Sequence, residues 1–339
     1  MLFSIVIPVY NVQDYLDECV QSILLQLNMI DNDCEILLVD DGSKDESGRI
    51  CDKYKEKYPD IVKVFHKENE GLLATRRYGY KQTSGEYIIN CDSDDLLENG
   101  MLSKVKKIID KYNKPDIVLI NHYRYDGKTK NLEYENLFTD AHDSVVTKNR
   151  VLYEYMSGHN IVSMWGKIVK RSCIEIDMDY MKYGRLSTGE DTLQTIEFFS
   201  NANTFVYLNE ALYDYRSGSG MTEKFDDNYY FTFKKIFNQI KKKNSDWNLK
   251  DFNKLFATKV LQTSGRAITQ SRYNKWNSIK AQREYLKKIR NDNMLNDSFL
   301  YLDDVKGNLQ LDHYLLLKML KRKTYIVIIL LLKVKNITT

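Results

Sequence analysis

Three short acidic runs hold most of the chemistry open to this chain: Asp40-Asp41-Gly42-Ser43, Asp92-Ser93-Asp94-Asp95 and Gly189-Glu190-Asp191. Residues two apart in an extended segment face the same side, so Asp92 and Asp94 converge on one point. Two carboxylates there repel unless a proton or a cation resolves them. A hard divalent ion, Mg²⁺ or Mn²⁺, is the natural resolution, with room left for substrate phosphates. A carboxylate of the first run can accept a hydrogen bond from a ribose hydroxyl or a base N–H, and Gly42 lets the chain turn sharply. In the third run an acid can act as a general base on an attacking hydroxyl. Plainer readings stand beside each of these. The first run could be a turn and helix cap, the second a solvated acidic turn, and the third a helix start where acids suit the macrodipole.

The elements around these runs place them at strand ends. Ser4 to Val9 reads as a buried strand, followed by Asn11, which can cap a helix with Asp14 three residues on. Tyr15, Leu16, Cys19, Val20, Ile23 and Leu24 recur at helical spacing. Glu35 to Val39 is a second strand, and Ser43 with Glu46 marks the next helix start. Ile61 to Phe65 reads as a strand, Leu72 to Thr83 as a helix ended by Ser84-Gly85, and Glu86 to Cys91 as a strand. A helix over Met101 to Tyr112 and a strand over Asp116 to Asn121 follow. This alternation predicts an α/β fold, a sheet with a parallel core covered by helices. In such a sheet ligands gather at the C-terminal ends of the strands, where the first two acidic runs fall.

From Tyr123 to Val146 the pattern dissolves into an excursion or an antiparallel segment. Regular patterning resumes at Val151 to Arg171 and at Asp191 to Ser200, and from about Asp226 the chain reads as helical. The expected division is a front domain over 1–225 and a mainly helical C-terminal region over 226–339. Near its end, eight apolar residues (Tyr325 to Leu332) lie between Lys318, Lys321, Arg322 and Lys323 on one side and Lys333 and Lys335 on the other. Eight is far below the roughly 20 needed to span a bilayer. The run reads either as an interfacial membrane anchor with basic flanks or as a buried last element of the C-terminal region.

Composition narrows the class. With 339 residues, 43% of them hydrophobic and 29% charged, the chain can bury a sizeable core. A net charge of +3 gives no basic surplus that would point to nucleic acid. The five cysteines show neither a CxxC pair nor zinc spacing, which predicts reduced thiols. No secretory signal opens the sequence, so the expected location is cytoplasmic, with peripheral contact at the inner face of the cytoplasmic membrane.

Taken in order, Ile5-Val6-Ile7-Pro8-Val9-Tyr10-Asn11, Val39-Asp40-Asp41-Gly42-Ser43, Asp92-Ser93-Asp94-Asp95 and Gly189-Glu190-Asp191 resemble glycosyltransferase family 2. Gly71-Leu72-Leu73-Ala74-Thr75-Arg76-Arg77-Tyr78-Gly79 resembles that family's Gly…Ala-x-Arg-Asn-x-Gly stretch, with Arg77 in place of the usual Asn. Trp165-Gly166-Lys167-Ile168 and Tyr213-Asp214-Tyr215-Arg216-Ser217-Gly218-Ser219 resemble landmarks of its capsule and exopolysaccharide branch. The resemblance covers roughly residues 1–222. It implies the GT-A fold and inverting transfer from a UDP-sugar to a lipid-linked or surface glycan, with Mn²⁺ or Mg²⁺ as cofactor. By position, Pro8, Tyr10 and Asp41 would line the uracil and ribose pocket, with Asp40 nearby and Arg76 holding the nucleotide. Asp92 and Ser93 would lie near the ribose and Asp94 would ligate the metal, with Asp92 beside it and Asp95 in support. Asp191 would be the catalytic base, Glu190 its neighbour in the acceptor pocket, and Arg216 a diphosphate ligand. Trp165 would stack on a sugar or sit in the core, and Lys167 would approach the phosphates or be solvated.

Two other classes compete. A receiver-like signalling domain would use Asp40-Asp41 but leaves Gly189-Glu190-Asp191 and the back half unexplained. A non-catalytic partner subunit would bind nucleotide-sugar or glycan without turnover, although every acid expected for turnover is present.

Overall fold

The computed structural model describes residues 1–134, 136–158, 161–217 and 225–335. The chain divides into two compact units, one of residues 1–151 with 162–220 and one of residues 152–161 with 221–339.

The first unit is built on one mixed sheet. Its strands, in chain order, are β1 (Phe3–Val9), β2 (Cys34–Asp40), β3 (Val62–His66), β4 (Tyr87–Asn90), β5 (Leu96–Leu97), β6 (Ile117–Tyr125), β7 (Lys130–Leu132), β8 (Asp143–Val146), β9 (Lys167–Lys170) and β10 (Phe205–Arg216). The helices α1 (Leu16–Leu24), α2 (Ser47–Lys57), α3 (Leu72–Gln82) and α4 (Met101–Lys111) alternate with the first strands, followed by α5 (Lys148–Ser157) and α6 (Glu190–Asn201). The sheet order is β3-β2-β1-β4-β9-β6-β10-β5, with β7 on β6 and β8 on β10. β3, β2, β1 and β4 run parallel, and β9 enters antiparallel between β4 and β6.

Every residue of β1 and β2 is buried, as expected for strands covered on both faces, and their Ile, Val and Leu side chains supply the core. Each such side chain contributes roughly 1.5–3 kcal/mol when fully buried. The α1 face has the expected spacing, with Leu16, Cys19, Val20 and Ile23 buried. The chain leaves β1 toward β2 on one side and reaches β4 on the other, so the C-terminal ends of β1 and β4 form a topological switch point.

Two expected helix caps are corrected. Asn11 does not cap α1, which starts at Leu16 with no side-chain cap. Asn11 instead adopts a left-handed backbone (φ 52°). Its N–H donates to Ser43 Oγ (3.1 Å) and its Oδ1 accepts from the Lys44 N–H (2.7 Å). Ser43 is thereby tied to Asn11, and α2 begins at Ser47 after a turn in which Asp45 accepts from the Ser47 N–H. Short polar side chains here serve the loops instead of the helices, a competition open to Asn, Asp and Ser. The span 123–146, left open between two readings, carries β7 and β8, both antiparallel.

The second unit is helical: α7 (Tyr229–Lys242), α8 (Asn244–Trp247), α9 (Phe252–Gln270), α10 (Ile279–Arg290), α11 (Asn293–Ser298), α12 (Leu311–Lys321) and α13 (Tyr325–Lys335). α9 is its core, burying Leu255, Val260, Leu261, Ala267 and Ile268. α12 meets α9 at Gly265, where a Cβ would fall 2.7 Å from that of His313. Residues 152–161 join this unit through the end of α5. Lys259 Nζ donates to the Gly158 carbonyl (3.2 Å) and Gln262 Nε2 to that of Ser157 (3.1 Å). These bonds satisfy carbonyls that a helix end leaves open.

The apolar run near the C-terminus is helical, and α13 divides it. Tyr325, Ile328, Ile329 and Leu332 are buried, whereas Ile326, Val327, Leu330 and Leu331 are exposed. No helix among the described residues is long and apolar enough to cross a membrane.

Candidate active site

The first two acidic runs lie at the ends of parallel strands, and the third opens α6. Asp40 closes β2, with Oδ1 accepting from the Ser43 N–H (2.9 Å) and Oδ2 facing His66 Nδ1 (2.9 Å). Asp41 is drawn into the adjoining loop, where it accepts from Lys67 Nζ (2.6 Å), the Glu70 N–H (3.0 Å) and the Gly71 N–H (2.8 Å). Burial alone would raise the Asp41 pKa, but these donors hold it below the usual carboxylate value. Asp41 therefore shapes the loop that leads into α3, a role that sequence spacing did not reveal. Pro8 is buried within β1, and Tyr10 just beyond it is exposed at the same edge.

Arg76 is the centre of the site. It lies on the buried face of α3 and is 1% exposed. Its Nη1 donates to Asp191 Oδ1 (2.5 Å) and its Nη2 to Asp92 Oδ1 (2.7 Å). One guanidinium thus joins the acid at the end of β4 to the acid in the first turn of α6. Burial disfavours the charge on Arg76, yet Asp92 and Asp191 hold its pKa well above normal. Burial also pushes the Asp92 carboxyl up, with Arg76 opposing and Asp191 and Asp94 adding to the rise. Glu190, beside Asp191, rises to about 7, from burial first and the Asp191 charge second.

The turn after β4 is braced from β10, an element that the sequence reading did not assign. Tyr213 Oη accepts from the Asp92 N–H (3.1 Å) and donates to Asp95 Oδ2 (2.7 Å). Asp95 is 1% exposed and also accepts from the Arg216 N–H (2.7 Å). Ser93 is buried in the same turn. Arg216 donates from Nε to the Asp94 carbonyl (2.7 Å) and from Nη2 to Glu18 (2.5 Å), between the rings of Tyr15 and Tyr125. Its place is therefore against the acidic turn. The last two residues of its motif, Gly218 and Ser219, lie outside the described residues.

Asp191 has a second brace. Its Oδ2 accepts from the Met164 N–H (3.3 Å). Trp165, next along, stacks on Tyr213 (4.9 Å between centroids) and Tyr215 (5.3 Å). Lys167 is not solvated: it is 2% exposed and donates to the Ser163 carbonyl. Burial brings its pKa down to about 7, against the pull of Asp191. The departure at Arg77 also has an account. Arg77 is buried and pairs with Glu197 (3.0 Å), over the ring of Tyr180 (4.6 Å).

Asp92, Asp94, Asp95, Glu190 and Asp191 thus crowd around Arg76, and burial together with their mutual repulsion raises the pKa values of Asp92, Asp95 and Glu190. Among the described residues no group of three or more His, Cys, Asp or Glu side chains could alone hold a metal ion. Asp92 to Asp95 form a turn, with the Asp95 N–H donating to the Asp92 carbonyl (3.0 Å), so the extended segment expected to converge Asp92 and Asp94 is not the arrangement found. A hard cation on these acids would take the rest of its shell from water and a ligand's phosphates.

The family model described as glycosyl transferase family 2 matches residues 4–172. Glycosyltransferase GlyG of Streptococcus pneumoniae is 33% identical over 234 residues, covering 66% of this chain and 74% of that protein. Glycosyltransferase GlyA of the same organism is 31% identical over 223 residues; the match takes in 64% of this chain but only 31% of GlyA. A crystal structure of residues 1–349 of S. aureus TarS, in complex with UDP-GlcNAc, aligns with a TM-score of 0.69 at 22% identity. That alignment covers 96% of this chain and 88% of the TarS chain, and it gives the fold as GT-A.

Proposed function

The chain belongs to glycosyl transferase family 2, and on that premise we propose that it moves a sugar from a UDP-sugar to a lipid-linked or surface glycan, with inversion. The observation that supports this most is the Arg76 bridge, since it brings Asp92 and Asp191 to one guanidinium. On this reading the uracil and ribose lie against Pro8, Tyr10 and Asp41 at the ends of β1 and β2, with Asp40 nearby. Asp92 and Ser93 face the ribose, and Arg76 steadies the nucleotide. A UDP-sugar as donor is in keeping with the UDP-GlcNAc bound by TarS.

Asp191 takes the proton of the acceptor hydroxyl as that oxygen attacks the anomeric carbon, on the face opposite the diphosphate. Arg76 and the Met164 amide fix both oxygens of the base, so its lone pairs are aimed before the acceptor arrives. Glu190 lines the acceptor side. Asp94 and Asp92 would hold Mg²⁺ or Mn²⁺, which when bound offsets the charge on the departing diphosphate. Arg216 contributes by fixing the Asp94 backbone and lies within reach of that charge. The five cysteines are free and buried, which agrees with work in a reducing cytoplasm. The exposed apolar face of α13 is the proposed contact with the inner face of the membrane.

The test is nucleotide release from UDP-, GDP- and dTDP-sugars with Mn²⁺, with and without EDTA. We expect release from UDP-sugars alone, lost on chelation. Asp191→Asn should lower turnover by about 10²–10⁴-fold while UDP binding persists. Full turnover in that variant would overturn the base assignment. Donor binding without any release by the wild type would make the chain a binding subunit.

A further inference from the structure

A cavity in the helical unit, distinct from the acidic site, is built like a receptor. It holds about 360 Å³ and is walled by the segment between α9 and α10, by α10 itself and by α13. That volume lies within the roughly 300–1,000 Å³ range of ligand sites. Its lining includes Arg272, Asn274, Trp276, Gln282 and Lys333, with no acidic residue. We propose that this cavity binds a phosphate-bearing saccharide, with Trp276 against the sugar ring and Arg272 and Lys333 toward the phosphate.

Three observations carry the proposal. The first is that Trp276 is fixed in place. Its Nε1 donates to the Ser271 carbonyl (2.7 Å), and its ring meets Phe225 (5.5 Å) and Tyr285 (5.3 Å). An aromatic face held this way offers apolar area at little entropic cost. The second is Gln282, which lines the cavity at 4% exposure. A side-chain amide carries both a donor and an acceptor, so the position suits an occupant that offers both, as a sugar hydroxyl does. The third is electrostatic. Arg272 and Lys333 line the same space, and α10 starts there behind the Ser278 cap with no acid in its first turn. An anion is favoured at such a helix start, and a guanidinium matches phosphate geometry. Aromatic surface, a buried amide and two cations together select a sugar phosphate over a neutral sugar or a bare anion. The binding chemistry is separate from the transfer reaction, although a role in holding an anionic acceptor glycan rests on the reading given above.

The experiment uses the full chain labelled with 5-fluorotryptophan, whose three tryptophans give separable ¹⁹F signals. The Trp276 signal is identified by its loss in Trp276→Phe. Glucose 1-phosphate, glucose and inorganic phosphate are titrated separately with UDP and Mn²⁺ at saturation, so the donor site is filled. We expect glucose 1-phosphate to shift the Trp276 signal saturably, and to do so equally in Asp191→Asn. Binding should weaken about fivefold or more in Gln282→Leu and in Lys333→Gln, the effect of one lost contact. Lys333 is exposed, so its variant separates loss of binding from loss of fold. The proposal is overturned by an unmoved Trp276 signal, by unchanged binding in both variants, or by an equal shift with inorganic phosphate alone. Failure of UDP-sugar turnover would leave each of these outcomes readable.

Discussion

Arg76 makes the two acids of the site neighbours and offsets the repulsion that Asp191 exerts on Asp92. Its guanidinium donates to Asp191 and Asp92 from separate nitrogens while lying almost wholly out of solvent. Asp92 and Asp191 are each about a quarter exposed, so removing the buried Arg76 leaves two partly solvated carboxylates facing each other without their shared donor. Arg76→Met should therefore lower stability by about 1–3 kcal/mol in urea unfolding. Asp191→Asn in the same chain should recover part of that loss, since it removes one of the stranded charges. A double-mutant cycle reads this coupling, expected at about 0.5–3 kcal/mol. Simple additivity would mean that the bridge carries no special weight. The position of Arg76 was legible in the Ala-x-Arg stretch, but its two partners were not. Sequence spacing cannot register a contact between residues 76 and 191.

The element that delivers Arg76 is α3, and its distance from the sheet is set by one residue. Gly79 faces β1 and β2, and a Cβ there would fall 2.6 Å from Val6 Cγ1 and 3.3 Å from Val39 Cγ2. Both neighbours are β-branched residues in buried strands, so neither can swing away. In Gly79→Ala, overpacking of about 1–3 kcal/mol opposes a gain in helix propensity of up to about 1 kcal/mol. The variant is expected to unfold at lower urea. It should also release UDP more slowly, because moving α3 moves Arg76. Unchanged stability with unchanged turnover would show that the sheet absorbs the methyl group. Most helices and parallel strands were legible from periodicity, because burial on one or both faces imposes it. β10 was not, since its residues mix buried and partly exposed positions across two register irregularities. Its contribution, Tyr213 and the Arg216 amide under the acidic turn, went unseen with it.

At the scale of the whole molecule the chain joins a GT-A unit to a helical one, and α13 ends the described part of the second. One face of α13 packs inward while Ile326, Val327, Leu330 and Leu331 stay exposed. Lys321, Arg322 and Lys323 are exposed just before it. Apolar side chains beside basic ones suit an anionic lipid surface, with each basic residue contributing on the order of 1 kcal/mol. The full chain should float with phosphatidylglycerol vesicles and less so with phosphatidylcholine. Raised salt should weaken the interaction through screening. Leu330→Asp with Leu331→Asp should abolish it and leave UDP binding intact. Flotation that survives the double substitution would remove α13 from the contact.

The sequence by itself determined the fold class and the three acidic runs, because both follow from local rules. Strand and helix periods come from burial, and an acid-rich turn after a strand follows from chain order alone. It also held both readings of the last apolar run, and α13 turned out to bury one half and expose the other. Tertiary structure alone decided how the acids are shared. Asp41 went to its loop, Asp95 to Tyr213 and Arg216, and Asp92 with Asp191 to Arg76. The reason is physical. A buried carboxylate must find donors, and which donors reach it depends on how α3, α6 and β10 pack, which no spacing along the chain records.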